Sequence, residues 1–224
     1  MVSFRNIVLV IGVFTSTVLA GDRSSYEVIG FSKDGRYVAF ERFGTYDGSG
    51  FPYCTVFILD VKANDFCVRP IEVTLELSDT ENEPDARSVA KANAAEDLVR
   101  FGIVKGNGGK RIWTADAGAI TSQVRFIWRK QLAELELKER EVDRECDPAG
   151  PGKIFELDLR FDDGTSVTMQ KDTELPSSRG CAFDYRLEEV VLFGNAIGVF
   201  INVSSTGYEG PNERQILVTA LIEP

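Results

Sequence analysis

Asp-Gly pairs between short stretches of alternating apolar and polar residues constrain the fold of this chain most strongly. Such a pair between two strand-like stretches is a strong β-hairpin signal, because both residues tolerate the positive φ angles of tight hairpin turns. The sequence therefore predicts antiparallel meanders. Two pairs stand between such stretches: Asp34-Gly35, between 26–31 and 36–42, and Asp163-Gly164, between 153–161 and 165–171.

The remaining strand signals lie on both sides of one helical segment. Asn82 or Glu83 is the expected helix cap, with Pro84 in the first turn. The helix is expected to bury one apolar face, made of Val89, Ala92, Ala95, Leu98 and Val99. We predict an α+β, mostly β fold: antiparallel meanders forming a sandwich-like or incomplete propeller-like domain with one covering helix. The further predicted strands are 53–60, 66–77, 123–130, 135–142, 186–193, 198–203 and 215–222.

A weak internal similarity relates the two ends of the chain. A shift of 162 positions aligns them without gaps and brings Tyr46-Asp47-Gly48 onto Tyr208-Glu209-Gly210. One interpretation is two similar three-stranded meanders without a special relation. The other is a pseudo-symmetric pair of sheets that carry the two Tyr-acid-Gly loops in matching places.

The first twenty residues are predicted to be a secretory signal peptide. A single charge, Arg5, precedes the apolar run 7–14, and Val18-Leu19-Ala20 suits a cleavage site. The apolar run is too short to cross a bilayer, which takes about 20 residues. We therefore expect one β-rich exported domain over 21–224, in the periplasm or outside the cell, with no membrane span after cleavage.

Four cysteines fit an oxidising compartment. They allow three pairings, and proximity along the chain favours Cys54 with Cys67 and Cys146 with Cys181. Buried free thiols are the alternative.

The absence of histidine excludes several kinds of chemistry. It removes imidazole general bases, Ser-His and Cys-His pairs and histidine-containing zinc sites. The acidic balance, a formal net charge of −10, argues against non-specific binding to nucleic acid. We expect no metal and no cofactor.

Two segments resemble known families. Residues 31–40 (FSKDGRYVAF), followed by 56–60 (VFILD), resemble one blade of a TolB-type β-propeller. A broader likeness rests on 30–41 (GFSKDGRYVAFE), 46–53 (YDGSGFPY) and 207–214 (GYEGPNER). These stretches resemble the bacterial predicted secreted protein family called domain of unknown function 2259. The resemblance implies an exported bacterial protein and supplies no catalytic residues.

The Tyr-acid-Gly loops are the candidate ligand-binding site, because aromatic faces beside acids and an arginine suit a sugar, a peptide or a cationic group. We expect a non-enzymatic binding or interaction module whose partner is an envelope protein or a cell-wall component. The alternative is a carboxylate-based hydrolase acting on cell-wall glycan or peptide. The candidate residues are Tyr46, Asp47, Tyr53, Tyr208, Glu209 and Arg214.

Overall fold

A computed structural model describes residues 21–76, 85–116, 119–208 and 210–222. These residues form thirteen β-strands and two α-helices. The strands are β1 (Ser24–Phe31), β2 (Tyr37–Thr45), β3 (Pro52–Asp60), β4 (Asp65–Phe66), β5 (Ile71–Thr74), β6 (Lys110–Thr114), β7 (Gln123–Trp128), β8 (Gln131–Glu145), β9 (Pro151–Phe161), β10 (Ser166–Lys171), β11 (Ala182–Phe193), β12 (Ala196–Ser205) and β13 (Asn212–Leu221). The helices are α1 (Ala86–Asn93) and α2 (Ala95–Arg100), and a 3-10 helix spans Ser177–Arg179.

The strands build three antiparallel sheets. The N-terminal sheet has the order β1-β2-β3-β4, with β5 also paired to β3. The outer sheet is β10-β9-β8-β7, and the central sheet is β13-β12-β11-β6.

Three hydrophobic clusters stack the sheets and the helices into four layers. One cluster joins the helices to the N-terminal sheet, a second joins that sheet to the central sheet, and the third joins the central and outer sheets. The central sheet is thus covered on both faces. This explains why β12 is an almost continuous buried run and does not alternate.

The predicted fold class is confirmed, and the stacked sheets fit its sandwich-like form. The two Asp-Gly pairs named above, Asp34-Gly35 and Asp163-Gly164, lie in hairpin turns. In the first, the Asp34 carboxylate accepts hydrogen bonds from the Ser32 hydroxyl and the Arg36 amide. Strand β6 was not predicted, because Lys110 and Arg111 gave its start the character of a loop.

The helix prediction needs two corrections. The cap is Asp85, whose carboxylate accepts a hydrogen bond from the Ser88 amide at 2.9 Å; Asn82, Glu83 and Pro84 lie outside the described residues. The buried face is also different. Ala92, Ala95 and Val99 are exposed and Val89 is only partly buried, so Leu98 alone belongs to the buried set. The residues that pack on the sheet are Ala86, Ala90, Ala94 and Leu98.

This choice of face has a physical reason. Small alanine side chains let the helix lie close to the N-terminal sheet, and Arg87 and Lys91 beside them reach the buried carboxylate of Glu41. The periodicity of apolar residues treats Arg87 and Lys91 as solvent-facing. The buried face was therefore predicted on the wrong side of the helix.

One of the two predicted disulfides is present. Cys146 and Cys181 are bonded, whereas Cys54 and Cys67 are free thiols. The Cys67 amide bonds to the carbonyl of Ile58, four residues along β3 from Cys54. At about 3.3 Å per residue this offset is about 13 Å, beyond the span of a disulfide.

The internal similarity corresponds to two antiparallel three-stranded meanders. Strands β1, β2 and β3 pair in chain order, as β11, β12 and β13 do, but β1 lies at the edge of its sheet whereas β11 also pairs with β6. The two Tyr-acid-Gly segments both lie between the second and third strands of their meanders. The two loops therefore stand at matching points of the chain order, and a pseudo-symmetric relation between the two sheets remains a prediction.

The predicted signal peptide, residues 1–20, lies outside the described part of the chain. Within the described part, no helix has the length and apolar character needed to cross a membrane.

Candidate functional site

The segment before β1 joins the two Tyr-acid-Gly loops. The Asp22 amide donates to Asn212 Oδ1 at 2.9 Å, and its carbonyl accepts from the Glu213 amide at 2.8 Å. Its carboxylate accepts a hydrogen bond from the Asp47 amide at 2.6 Å and lies 3.6 Å from the Arg214 guanidinium. Asp22 thus connects both meanders at one end of the cleft described below.

Gly21 allows this approach. A Cβ atom at this position would lie 2.3 Å from the carbonyl oxygen of Pro211, so any other residue would push the segment away from the second loop.

The candidate residues of the first loop form an aromatic pair. Tyr46 stacks on Tyr53 with ring centroids 4.4 Å apart, and its hydroxyl donates to Glu72 Oε1 at 3.2 Å. Tyr53 is 4% exposed, and its hydroxyl has no hydrogen-bond partner among the described residues. Burial raises the pKa of both phenols, so both rings stay neutral at physiological pH.

The six candidate residues are only partly assembled. Tyr46, Tyr53 and Arg214 lie together, and Asp47 joins them through its backbone amide. The Tyr208 side chain is fully exposed. Glu209 lies outside the described residues. A binding role for this set remains a prediction.

A cleft that the sequence did not indicate lies between the N-terminal and central sheets. Its larger part, here called the apolar chamber, has a volume of about 370 Å³. Its walls come mainly from β2, β3 and the edge strand β13, and they also include Gln170 of β10 and part of the 3-10 helix. Phe66 lies at its mouth with 48% of its surface exposed, and its ring is 5.7 Å from that of Phe57. The main apolar wall residues are Phe40, Phe57, Leu59, Leu217 and Val218.

The smaller part, here called the polar chamber, has a volume of about 230 Å³. Hydroxyl groups and arginines dominate its walls. It shares Arg42, Ser178, Arg179 and Ile216 with the apolar chamber, so the two chambers adjoin. The polar wall residues are Arg42, Ser177, Ser178, Arg179, Ser205, Thr206, Asn212 and Arg214.

Arg42 stands where the chambers meet. Its guanidinium carbon lies 5.0 Å from the centre of the Phe57 ring, and one terminal nitrogen donates to the Gln215 carbonyl at 3.1 Å. Its Nε is buried without a hydrogen-bond partner, and no carboxylate of the described residues forms an ion pair with it. Burial lowers the pKa of Arg42, and the positive charge of Arg214 lowers it further; the group still carries its charge at neutral pH.

The two other arginines of the polar chamber differ from Arg42. Arg179 forms a two-pronged pair with the buried carboxylate of Asp172 and lies against the rings of Phe155 and Tyr185. This pair anchors the 3-10 helix. Arg214 has the looser contact with Asp22, and its Nε has no hydrogen-bond partner among the described residues.

The disulfide supports the wall of the polar chamber. Cys181, which lines the chamber, is bonded to Cys146, and the hydroxyl of Thr206 donates to the Cys146 carbonyl at 3.3 Å. The covalent bond therefore holds the 3-10 helix connection against the end of β12.

Two carboxylates of β11 lie outside this cleft. Glu189 pairs with Arg111 at 2.6 Å and accepts from the Tyr26 hydroxyl at 3.3 Å. Burial raises the pKa of both Glu188 and Glu189. Among the described residues, no group of three or more Asp, Glu or Cys side chains is placed to hold a metal ion.

Stacked antiparallel sheets, a disulfide and a ligand-sized cleft define a β-rich protein of the exported class, since disulfides are typical of oxidising compartments. The chain belongs to the family described as "Predicted secreted protein (DUF2259)", which matches residues 39–220. This confirms the resemblance stated above and the expectation of export. No curated protein and no solved structure matches the chain.

Proposed function

We propose that this protein is a non-enzymatic binding module of the periplasm or cell envelope, and that its ligand enters the cleft between the N-terminal and central sheets. The apolar chamber carries the proposal. Its volume, about 370 Å³, lies within the range of small-molecule sites, and apolar walls with a few polar groups are typical of such sites.

The walls are suited to a preformed site. They belong to strands whose opposite faces pack into hydrophobic clusters, and the 3-10 helix connection is held by the disulfide and the Arg179–Asp172 pair. A site built on such elements binds without first ordering its own walls.

In this proposal the exported protein, without residues 1–20, is the form that binds the ligand. Removal of residues 1–20 leaves Gly21 at the start of a single exported domain, and Gly21-Asp22 then closes the cleft at the end of the Tyr-acid-Gly loops. In this proposal Tyr46, Tyr53 and Arg214 support that end of the cleft, and Asp47 holds the first loop through its amide. Glu209 and the exposed Tyr208 ring would contact a large partner, such as an envelope protein or a cell-wall polymer.

The test uses the neutral apolar fluorophore N-phenyl-1-naphthylamine. Wild-type protein is expected to bind it saturably with one site. Thr55 lies on β3 among the chamber-facing residues and is 5% exposed, so Thr55→Phe fills the chamber. We expect this variant to lose at least about tenfold in affinity, because overlap with the ligand removes its contacts.

The matched control is Thr114→Phe. Thr114 is exposed on β6, at the edge of the central sheet opposite β13. It should bind the fluorophore as the wild type does. Equal binding by both variants, or no saturable binding by folded wild-type protein, would contradict the proposal.

The hydrolase alternative is tested on the two acids of the apolar chamber, Asp65 and Glu72. Turnover of cell-wall glycan or peptide that disappears in Asp65→Asn or Glu72→Gln would replace the binding module by an enzyme. The binding proposal expects no turnover in any of these proteins.

A further inference from the structure

We propose that the polar chamber is an oxyanion site, which holds the carboxylate or phosphate group of an amphiphilic ligand whose apolar part lies in the apolar chamber. The inference rests on the proposed function and names the class of ligand.

The first support is the charge of the chamber walls. Three arginines and four hydroxyl residues line about 230 Å³, and no Asp or Glu is among the described residues that line it. The chain as a whole has 35 acidic and 25 basic residues, so an acid-free, arginine-rich cavity runs against its overall balance.

The second support is the state of the arginines. Asp172 neutralises Arg179. Arg214 is less well compensated, because the Asp22 carboxylate accepts a hydrogen bond from the Asp47 amide and lies 3.6 Å from the Arg214 guanidinium. Arg42 has no carboxylate partner in the described part of the chain, and the Nε atoms of Arg42 and Arg214 are both buried without acceptors.

An unpaired buried donor on a charged group is costly, and native proteins generally satisfy such groups. Two neighbouring guanidinium groups also repel each other. An oxyanion between Arg42 and Arg214 would supply the counter-charge that both groups need and remove the repulsion, since guanidinium groups bind carboxylate and phosphate oxygens with charge-assisted hydrogen bonds.

The third support is the shared wall. Arg42 faces both chambers and also lies over the Phe57 ring, so an anion at its guanidinium stands directly beside the apolar surface. The geometry therefore suits an acid group joined to an apolar body. Inorganic ions alone would leave the apolar chamber empty.

The experiment compares three probes with the same tail: octanoate, octyl phosphate and neutral octanol. Each is titrated against the protein by displacement of N-phenyl-1-naphthylamine. Wild-type protein is expected to bind at least one of the two anions about tenfold more tightly than octanol, because a charge-assisted hydrogen bond contributes at least this factor. Which anion binds more tightly distinguishes a carboxylate from a phosphate ligand.

Two variants test the assigned residues. Arg42→Met keeps the apolar stem over Phe57 and removes the charge, and Arg214→Gln removes the second guanidinium. In both variants the affinity for the two anions should fall to about the affinity for octanol. The control is Arg125→Gln, which makes the same change of charge on β7 of the outer sheet, where Arg125 is exposed and pairs with Glu134.

Equal affinity of the wild type for octanol and for both anions would overturn the oxyanion site and leave the binding module intact. Failure of all three probes and the fluorophore would overturn both. An equal loss in Arg125→Gln and Arg42→Met would show a long-range charge effect and would also overturn the site. If Arg42→Met does not fold, Arg214→Gln alone decides.

Discussion

Two neighbouring charged residues of β2 have opposite environments. Glu41 is 1% exposed, faces the helices, and has both Arg87 and Lys91 as partners. Arg42 faces the central sheet and has no carboxylate partner within the described residues. The protein itself supplies the counter-charges of Glu41, and these ion pairs fix the helix to the sheet. The charge of Arg42 faces the cleft instead, which is the arrangement expected of a binding residue.

The electrostatics of the two positions agree with this difference. Burial opposes ionisation of Glu41, but hydrogen bonds from Arg87 and Lys91 outweigh it and lower its pKa. Around Arg42, burial and Arg214 both act against the charged form.

The largest expected effect is that of removing the disulfide that supports the wall of the polar chamber. Replacing Cys146 and Cys181 by serine should lower the free energy of unfolding by about 3–4 kcal/mol, since the bond closes a 35-residue separation. The affinity for N-phenyl-1-naphthylamine should fall as well, because the 3-10 helix connection loses its attachment. Urea unfolding and fluorophore titration measure the two effects, and an unchanged affinity would remove the disulfide from the account of the cleft.

The direct comparison of Glu41 with Arg42 comes next. Glu41→Gln should cost about 2–3 kcal/mol of unfolding free energy, because it leaves two cations without their buried partner. Arg42→Met should cost less than about 1 kcal/mol, because the lost hydrogen bond to the Gln215 carbonyl is offset by relief of burial and repulsion. Denaturant unfolding of both variants decides, and the reverse order would contradict the comparison.

Glu188 offers a smaller test of the same idea on β11. Its Oε2 is buried without a partner among the described residues, and burial raises its pKa. A raised pKa stabilises the fold below the unfolded pKa, near 4.3 for a glutamate, and that stabilisation is lost as the pH rises through the folded pKa. Glu188→Gln should therefore gain stability relative to wild type as the pH rises from about 4 towards neutral. Melting temperatures across that range measure it, with Glu96→Gln, an exposed position, as the control.

The smallest expected effect concerns the rate at which the free thiols on the helix side react with a thiol reagent. Burial raises the pKa of Cys54 to about 12 and also raises that of Cys67. At pH 8 a thiol reagent should modify Cys67 slowly and Cys54 only after unfolding, because the thiolate is the reactive form. Rapid modification of Cys54 in the native protein would show that the helix side opens readily.

Local signals in the sequence predicted much of the fold. The Asp-Gly turns located two hairpins, and the similarity at a shift of 162 positions indicated the two three-stranded meanders. The helix was located, but its face was wrong, because Arg87 and Lys91 bind a buried acid that no local pattern indicates. The Cys54–Cys67 pair failed because proximity along the chain ignores their separation along β3.

The cleft could not be predicted in the same way. Arg42 stands in a strand where a charged residue ordinarily indicates a solvent-facing position, and Ser177–Arg179 has the composition of an ordinary loop. Arg42 and this loop lie close together only because of how the sheets stack and where the disulfide holds the chain. Of the ligand-binding candidates that the structure describes, Arg214 alone lies on the walls of the polar chamber.

One measurement tests the central claim most directly: the change in melting temperature on adding octanoate or octyl phosphate to wild type, Glu41→Gln and Arg42→Met under the same conditions. Ligand that binds only the folded state raises the melting temperature. We expect an increase in the wild type and in Glu41→Gln, despite the lower starting stability of that variant, and a much smaller increase in Arg42→Met, which holds the ligand by its apolar chain alone. An undiminished increase in Arg42→Met, with the increase lost in Glu41→Gln, would contradict the account.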